Sequence, residues 1–304
     1  MVDAAADGGE RLTVVVATRD RPDHLDACLR ALAASVAPSD EILVIDSASS
    51  STRTSEVAAA HRVRTLRVPA PGASRARNLG WRAAETAVVA FVDDDVRVDP
   101  SWAQGMRRAF VAHPEAAFVS GRLSLLTEDL GARRPVAFID YDQPHVIDSS
   151  LVDDLGHGAN LAIRRSALLA VGGYDERLGP GATWPAAEDL DLVDRLLGAG
   201  YAGRYEPSAL AYHVQWRGRR HLPALEWRYG LGQGARLARL RRADPSRYRA
   251  LARLVWRDRG LRELRGCLLR REELGSLLVV SRLTGTAVGQ LRAAISRRPV
   301  RTAS

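Results

Sequence analysis

The chain contains no lysine: its 44 Lys and Arg residues are all arginine. That absence excludes a lysine Schiff base and any Walker-type phosphate-binding lysine. Together with abundant alanine it points to a coding bias toward G and C, so a single arginine is weak ground for function. Cysteine is scarce as well. Cys28 and Cys267 stand far apart and neither belongs to a CxxC pair, which leaves zinc and dithiol chemistry without support and makes a reducing compartment the expectation. No run of about 18 uncharged apolar residues occurs, so no membrane-spanning helix is expected. The opening MVDAAADGGE lacks the basic-then-apolar pattern of a secretory leader, and a cytoplasmic location is expected.

What is present is a globular composition over 304 residues, 46% hydrophobic and 26% charged, enough for one large domain and a smaller one. The most informative stretch is Val88–Asp95, VVAFVDDD. Five apolar residues, rich in β-branched types, read as a strand buried on both faces of a parallel sheet. Three carboxylates follow where that strand stops, at the sheet edge where open α/β folds bind ligands. Clustered like charges repel, and a divalent cation among them relieves the repulsion. An acidic solvated turn is the competing reading, and the triplet alone favours that turn.

Upstream, Leu12–Ala17 reads as a buried strand ending at Thr18-Arg19-Asp20-Arg21-Pro22. Pro22 suits the first turn of a helix whose Leu25, Leu29 and Leu32 recur at helical spacing. Glu41–Ile45 is a second strand running into Asp46-Ser47-Ala48 and a helix near 52–61. Val63–Val68 is a third, and Pro71-Gly72 opens a helix before the VVAFV strand. Strands alternating with helices through short links predict a doubly wound parallel sheet. Farther on, the pattern predicts a helix over 99–113, a strand about 117–125, and a variable loop over 127–154. The loop Gly156–Asn160 then precedes a short strand and a helix over 164–170. A helix starts at Glu188 with Leu190, Leu192, Val193, Leu196 and Leu197 on its apolar face. Two short strands, Tyr201–Tyr205 and Ala209–His213, follow. Beyond Trp216 the chain turns arginine-dense and helical, so the division is expected at residues 1–216 and 217–304.

The segments VVVATRDRP, EILVIDSAS, PGASRARNLGW, FVDDD, GHGANLAIRRSALLAVGGYDE, AAEDLDLVDRLLGAGY and AYH, in that order, resemble the inverting family 2 glycosyltransferases of the glycosyltransferase-A fold. The resemblance covers about residues 11–216. It implies an α/β, Rossmann-like fold, a mixed but mainly parallel sheet flanked by helices, with the C-terminal helical region added. It also implies transfer of a sugar from a UDP-, GDP- or dTDP-linked donor to a hydroxyl acceptor: a glycan, a small molecule or a lipid-linked one. On the donor side Asp93 would touch the ribose, and Asp95 would bind Mg²⁺ or Mn²⁺, hard cations suited to oxygen ligands. Asp94 takes either a ligand or a structural role. Thr18, Arg19 and Asp46 would contact base or ribose, Asp46 serving equally well as an Asx-turn residue. Arg75 and Asn78 lie on the helix opened by Gly72, whose N-terminus favours phosphate; Arg77 is a weaker candidate than Arg75.

On the acceptor side the resemblance assigns Asp189 as general base, beside Glu188 at a helix start. The helix dipole favours its ionised form, with Glu188 expected to raise its pKa in compensation; helix capping is the plain alternative. Gly158, Ala159 and Asn160 would line the sugar or acceptor pocket, and Trp184 offers a flat face for a pyranose or a core contact. His157 fits a sugar contact or a plain loop. His213 is a further metal ligand or a hydrogen-bonded core histidine.

The arginine–leucine helices after residue 217 suit an anionic membrane surface, a homodimer, or packing within the chain; no nucleic-acid motif accompanies the charge, so no nucleic-acid partner is expected. A peripheral place on the inner face of the membrane is thus one expectation. Two other functions compete: a non-catalytic assembly protein with a degenerate transferase domain, and a sugar-nucleotide pyrophosphorylase. The second wants a glycine-rich first loop and usually lysine, and TRDRP supplies neither.

Overall fold

A computed structural model describes residues 10–126, 138–151, 153 and 155–296. The first half has the expected alternation. β1 (Leu12–Thr18), β2 (Glu41–Ser47), β3 (Arg64–Val68) and β4 (Val88–Asp93) lie parallel in the order β3-β2-β1-β4, joined by α1 (Pro22–Ala33), α2 (Arg53–Ala60) and α3 (Ala73–Ala83). β1, β2 and β4 form here because their apolar runs feed two cores, one on each face. Val14 and Val16 face Leu25, Leu29 and Leu32 of α1, while Val15, Leu43, Ile45 and Phe91 face Trp81 and the helices opposite. The register pairs Thr18 with Asp46 and Ala17 with Asp93, so the polar strand ends share one edge.

The sheet then becomes mixed. β5 (Val96–Val98), β6 (Phe118–Leu125), β7 (His145–Ile147), β8 (Asn160–Arg164) and β9 (Gly203–His213) extend it beyond β4 in the order β8-β6-β9-β5, with β7 on β9. β8 runs antiparallel to both β4 and β6, and β6 runs parallel to β9. α4 (Trp102–Ala112) and α5 (Arg165–Val171) cover opposite faces, and α6 (Glu188–Gly198) packs Leu192 and Leu196 into the second core.

Three expectations need correction. The two short strands over 201–213 are one strand, because the register against β6 shifts between Gly121 and Leu123 and absorbs Pro207 as a bulge. β5 follows the aspartates directly, an element the sequence pattern does not predict. The loop over 127–154 lies largely outside the described residues, but its described part supplies β7 and a bridge from Ile139 to Leu123.

The C-terminal region is helical, as expected: α7 (Leu222–Ala243), α8 (Pro245–Arg253), a π-helix over Leu254–Leu261, α9 (Arg262–Leu269) and α10 (Glu273–Ile295). α7 and α10 run side by side in the same direction. A methyl group added at Gly230 would collide with Arg282 O, and one at Gly234 with Thr286 O, so glycine sets the closeness of the pair. Among the described residues no helix is long and apolar enough to cross a membrane.

Candidate active site

The three aspartates divide by partner. Asp93 accepts from Arg77 Nη2 at 2.7 Å. Asp94 is buried and accepts from Thr18 Oγ1 at 2.7 Å and Arg21 Nη1 at 2.8 Å. Asp95 is equally buried. It accepts from Trp216 Nε1 at 2.8 Å and lies 3.3 Å from Arg21 Nη1 and 3.4 Å from His213 Nε2. These partners pull the carboxyls apart. Burial pushes Asp94 up to about 7 despite Arg21. Burial also opposes ionisation of Asp95, but the hydrogen bond and charge of His213, with Arg21, hold it below the usual carboxylate range. His213 reaches Asp95 because β9 pairs with β5: Val96 sits opposite His213.

Across the cleft, α6 begins immediately after Ala187, whose φ of 69° turns the chain sharply into the helix. Asp189 accepts from Gly158 N at 2.9 Å and Leu190 N at 2.8 Å. Only glycine fits at 158, since a Cβ there would stand 2.8 Å from Asp189 Cβ. Desolvation raises the Asp189 carboxyl, but the electrostatic interaction with His157 and the two backbone donors outweigh it and hold the group low. Glu188 therefore does not raise its neighbour as expected; it is engaged by Arg77 Nη1 at 2.9 Å, and burial raises its own pKa. Arg77, itself buried, so bridges the aspartate triplet and the Glu-Asp pair. His157 is half-buried, and desolvation lowers its pKa; its Nδ1 accepts from Ala159 N at 3.1 Å, which puts the ring proton on Nε2.

Thr18, Arg19, Asp93, Asp94, Asp95, Glu188, Asp189 and His213 line one cavity of about 1040 Å³. Arg77 and His157 line it as well, whereas Asp46, Arg75, Asn78, Gly158, Ala159, Asn160 and Trp184 do not. Asp46 is buried as a loop anchor, accepting from Ser49 N at 2.8 Å and from Arg67. Arg75 turns to the rim and pairs with Glu176, because two residues on a helix point about 200° apart and Arg77 takes the inward side. Asn78 clamps Tyr174 through both its N–H and C=O and accepts from Trp81. Asn160 is spent on Trp102 Nε1, Arg122 O and Ala209 O, and Ala159 beside it is buried. Trp184 lies under Arg292, with 5.7 Å from guanidinium to ring centroid. Gly158 serves the site through Asp189 alone.

Sequence reasoning missed Arg21 and Trp216, and ranked Arg77 below Arg75. The two aspartates facing Arg21 were the available signal, since buried carboxylates call for a cation nearby. It also missed Arg228, Tyr229 and Gln233 of α7, which close the cavity from above. The Tyr229 hydroxyl is pushed up to about 12 by burial.

Among the described residues no group of three or more His, Cys, Asp or Glu side chains is arranged to hold a metal ion. Asp95 and His213 nevertheless offer a buried oxygen and nitrogen side by side. A hard cation that takes one or two carboxylates and completes its shell with phosphate and water fits that pair.

The family model described as Glycosyl transferase family 2 matches residues 13–170, just over half of the 304. Two Mycobacterium tuberculosis proteins named Pre-mycofactocin glycosyltransferase are 33% identical over 219 residues, 66% of this chain and 42% of theirs. A Haloferax volcanii Glucosyl-dolichyl phosphate glucuronosyltransferase is 28% identical over 115 residues, 36% of each chain. The chain thus spans less than half the length of the curated relatives it matches. Among solved structures, Mannosyltransferase PcManGT from Pyrobaculum calidifontis, in complex with GDP-Man and Mn²⁺, superposes with a TM-score of 0.68 at 18% identity, covering 93% of this chain and 87% of its own. S. aureus TarS 1-349 in complex with UDP-GlcNAc gives 0.59 at 14% identity, covering 93% and 92%. At such identities the likeness establishes the fold.

Proposed function

The chain belongs to glycosyl transferase family 2 and is a glycosyltransferase of the glycosyltransferase-A fold, and from that premise we propose metal-dependent, inverting transfer of a sugar from a nucleoside-diphosphate-sugar donor to an acceptor hydroxyl. The observation that carries this reading is the single cavity bringing Asp95 and His213 together with a half-buried, ionised Asp189. Asp189 takes the proton of the acceptor hydroxyl. The hydroxyl oxygen bonds to the anomeric carbon as the bond from that carbon to the diphosphate oxygen breaks, and attack from the opposite face inverts the centre. Gly158 N and Leu190 N fix both Asp189 oxygens, so the carboxylate is aimed before substrate arrives. Arg77 ties Asp93 to Glu188 and holds donor and acceptor walls in register. Asp95 and His213 would hold Mg²⁺ or Mn²⁺, which supplies Lewis-acid neutralisation of the departing diphosphate. The neighbours bound to GDP-Man with Mn²⁺ and to UDP-GlcNAc support a nucleotide-sugar donor.

The same reading puts the enzyme in the cytoplasm with its basic C-terminal region against an anionic membrane. Exposed Leu268, Leu269, Leu277 and Val280 beside that charge support it. A thermal-shift panel of UDP, GDP and dTDP with and without Mn²⁺ tests the donor side. One nucleotide is expected to raise Tm, more so with Mn²⁺, and no response to any of them overturns the reading.

A further inference from the structure

The proposed reaction gives Arg21 no task, although its guanidinium stands among the aspartates. Its Nη1 lies 2.8 Å from Asp94 Oδ1 and 3.3 Å from Asp95 Oδ2. Asp95 is engaged by the chain on both oxygens: Trp216 Nε1 donates to Oδ2 at 2.8 Å, and His213 Nε2 lies 3.4 Å from Oδ1. Oδ2 therefore faces two donors, one of them charged. A divalent cation at that carboxylate and a guanidinium beside it repel as like charges.

Arg21 differs in its freedom from Arg77, the other arginine on this triplet. The Arg77 side chain is 7% exposed and pinned between two walls, 2.7 Å from Asp93 and 2.9 Å from Glu188. The Arg21 side chain is 32% exposed, and its two partners are neighbours in sequence. Its backbone is anchored. Asp20 before it accepts from Ser50 N at 2.7 Å and donates through its own N–H to Ser49 Oγ at 3.0 Å, while Pro22 after it opens α1. The Trp216 ring gives the guanidinium a second support, 4.7 Å from the ring centroid, that does not depend on the aspartates. A fixed backbone, a cation–π support and a place on the cavity wall describe a side chain that turns while the fold stays still.

We infer that Arg21 competes with the divalent cation for Asp95 and, once displaced, turns to the diphosphate of the donor. The inference rests on the metal-dependent reading above. Binding of the cation alone costs the Arg21 contacts and returns nothing to the guanidinium. A diphosphate bound with it offers the guanidinium new oxygens in the fork geometry it favours. Arg21 thereby couples the two ligands, and by linkage each raises the affinity for the other.

The test uses the full chain and two calorimetric titrations: Mn²⁺ alone, then a nucleoside diphosphate (UDP, GDP or dTDP, whichever binds) at saturating Mn²⁺. In Arg21→Gln, Mn²⁺ alone is expected to bind about ten-fold tighter and the nucleotide about ten-fold weaker than in wild type, each the size of one charge-assisted contact. Arg21→Met, uncharged and of similar length, replaces that variant if it fails to fold. The opposite signs are the signature, because a merely structural arginine would weaken both. Mn²⁺ affinity unchanged or lowered in the variant, or nucleotide affinity unchanged, overturns the inference and spares the metal-dependent reading. Mn²⁺ binding to neither protein, with or without nucleotide, overturns both.

Discussion

Residues 1–216 carry 22 arginines against 30 acidic residues, whereas residues 217–304 carry 22 against 6. The first region is therefore net acidic and the second strongly basic, and the chain's overall +8 conceals the contrast. Opposed charge of this size attracts, and the structure shows where it is spent. Asp194, on the helix that begins with Glu188 and Asp189, is fully buried and accepts from Arg236 at 2.7 and 3.0 Å, Arg247 at 3.0 Å and Arg239 at 3.2 Å. Gly232 packs against Ala186 just ahead of that helix, with no room for a Cβ. The basic helices thus clamp the element that presents Asp189. The difference between the regions teaches that the acidic region supplies the carboxylates proposed to react, and that the basic one holds the helix that presents Asp189.

The sharpest break separates chemistry from assembly. Asp189→Asn keeps the shape of the side chain but removes the base, so transfer is expected to fall by about 10²–10⁴-fold. The nucleoside-diphosphate thermal shift should persist, since Asp189 does not face the donor phosphates in the proposed reaction. Single-turnover transfer together with the shift assay checks this; unimpaired transfer would remove Asp189 from the mechanism.

Asp194→Asn breaks the clamp instead. It strands Arg236 and Arg247 beside a neutral group, Arg239 keeping Asp191, and removing one side of a buried ion cluster costs about 3–5 kcal/mol. The pH dependence has a definite sign. The arginines outweigh burial and hold Asp194 below its ordinary 3.8. A depressed carboxyl contributes its stability above the unfolded value and loses it as pH falls through the lower, folded one. Wild type should therefore lose stability on acidification below about pH 4, and the Asp194→Asn variant should be weaker at neutral pH but flatter in that window. Melting curves from about pH 2 to about pH 7 decide it.

Arg77→Gln tests whether the two walls of the cleft are coupled. It leaves Asp93 with no cation at 2.7 Å and Glu188 buried and unpaired. A fall in transfer of about ten- to a hundred-fold is expected, the size of one lost charge-assisted hydrogen bond to a buried group. Steady-state kinetics should show it in kcat; a change confined to the donor KM would mean that Arg77 binds donor and couples nothing.

The same contrast between regions explains what could be read from the sequence. β1, β2 and β4 were legible because strands buried on both faces must be continuously apolar. Asp93, Asp95 and Asp189 were singled out through the family resemblance, and the fold brings all three to one cavity. Arg77 was not preferred over Arg75, because the inward side of α3 depends on where the sheet lies. Asn160 and Asn78 matched their motifs yet are consumed by tertiary hydrogen bonds to residues as far off as Ala209 and Tyr174. Arg228 and Tyr229 come to line the same cavity as the aspartates only after more than a hundred intervening residues have folded, and nothing local to α7 signals it.

The mildest change concerns Asp94, the aspartate without a clear role in sequence. Thr18→Val is nearly isosteric and deletes only the 2.7 Å hydroxyl donor, leaving Arg21 in place. A buried acceptor losing one of two partners costs about 1–3 kcal/mol. If Asp94 only braces the first strand end against its neighbour, that cost appears in Tm and nucleotide affinity is unchanged. If Asp94 shapes the donor wall, nucleoside-diphosphate affinity falls by about five- to ten-fold at an unaltered Tm. The brace is the expected outcome, because both oxygens of Asp94 are already turned inward to Thr18 and Arg21, while Asp93 and Asp95 on either side keep the partners that face the cleft.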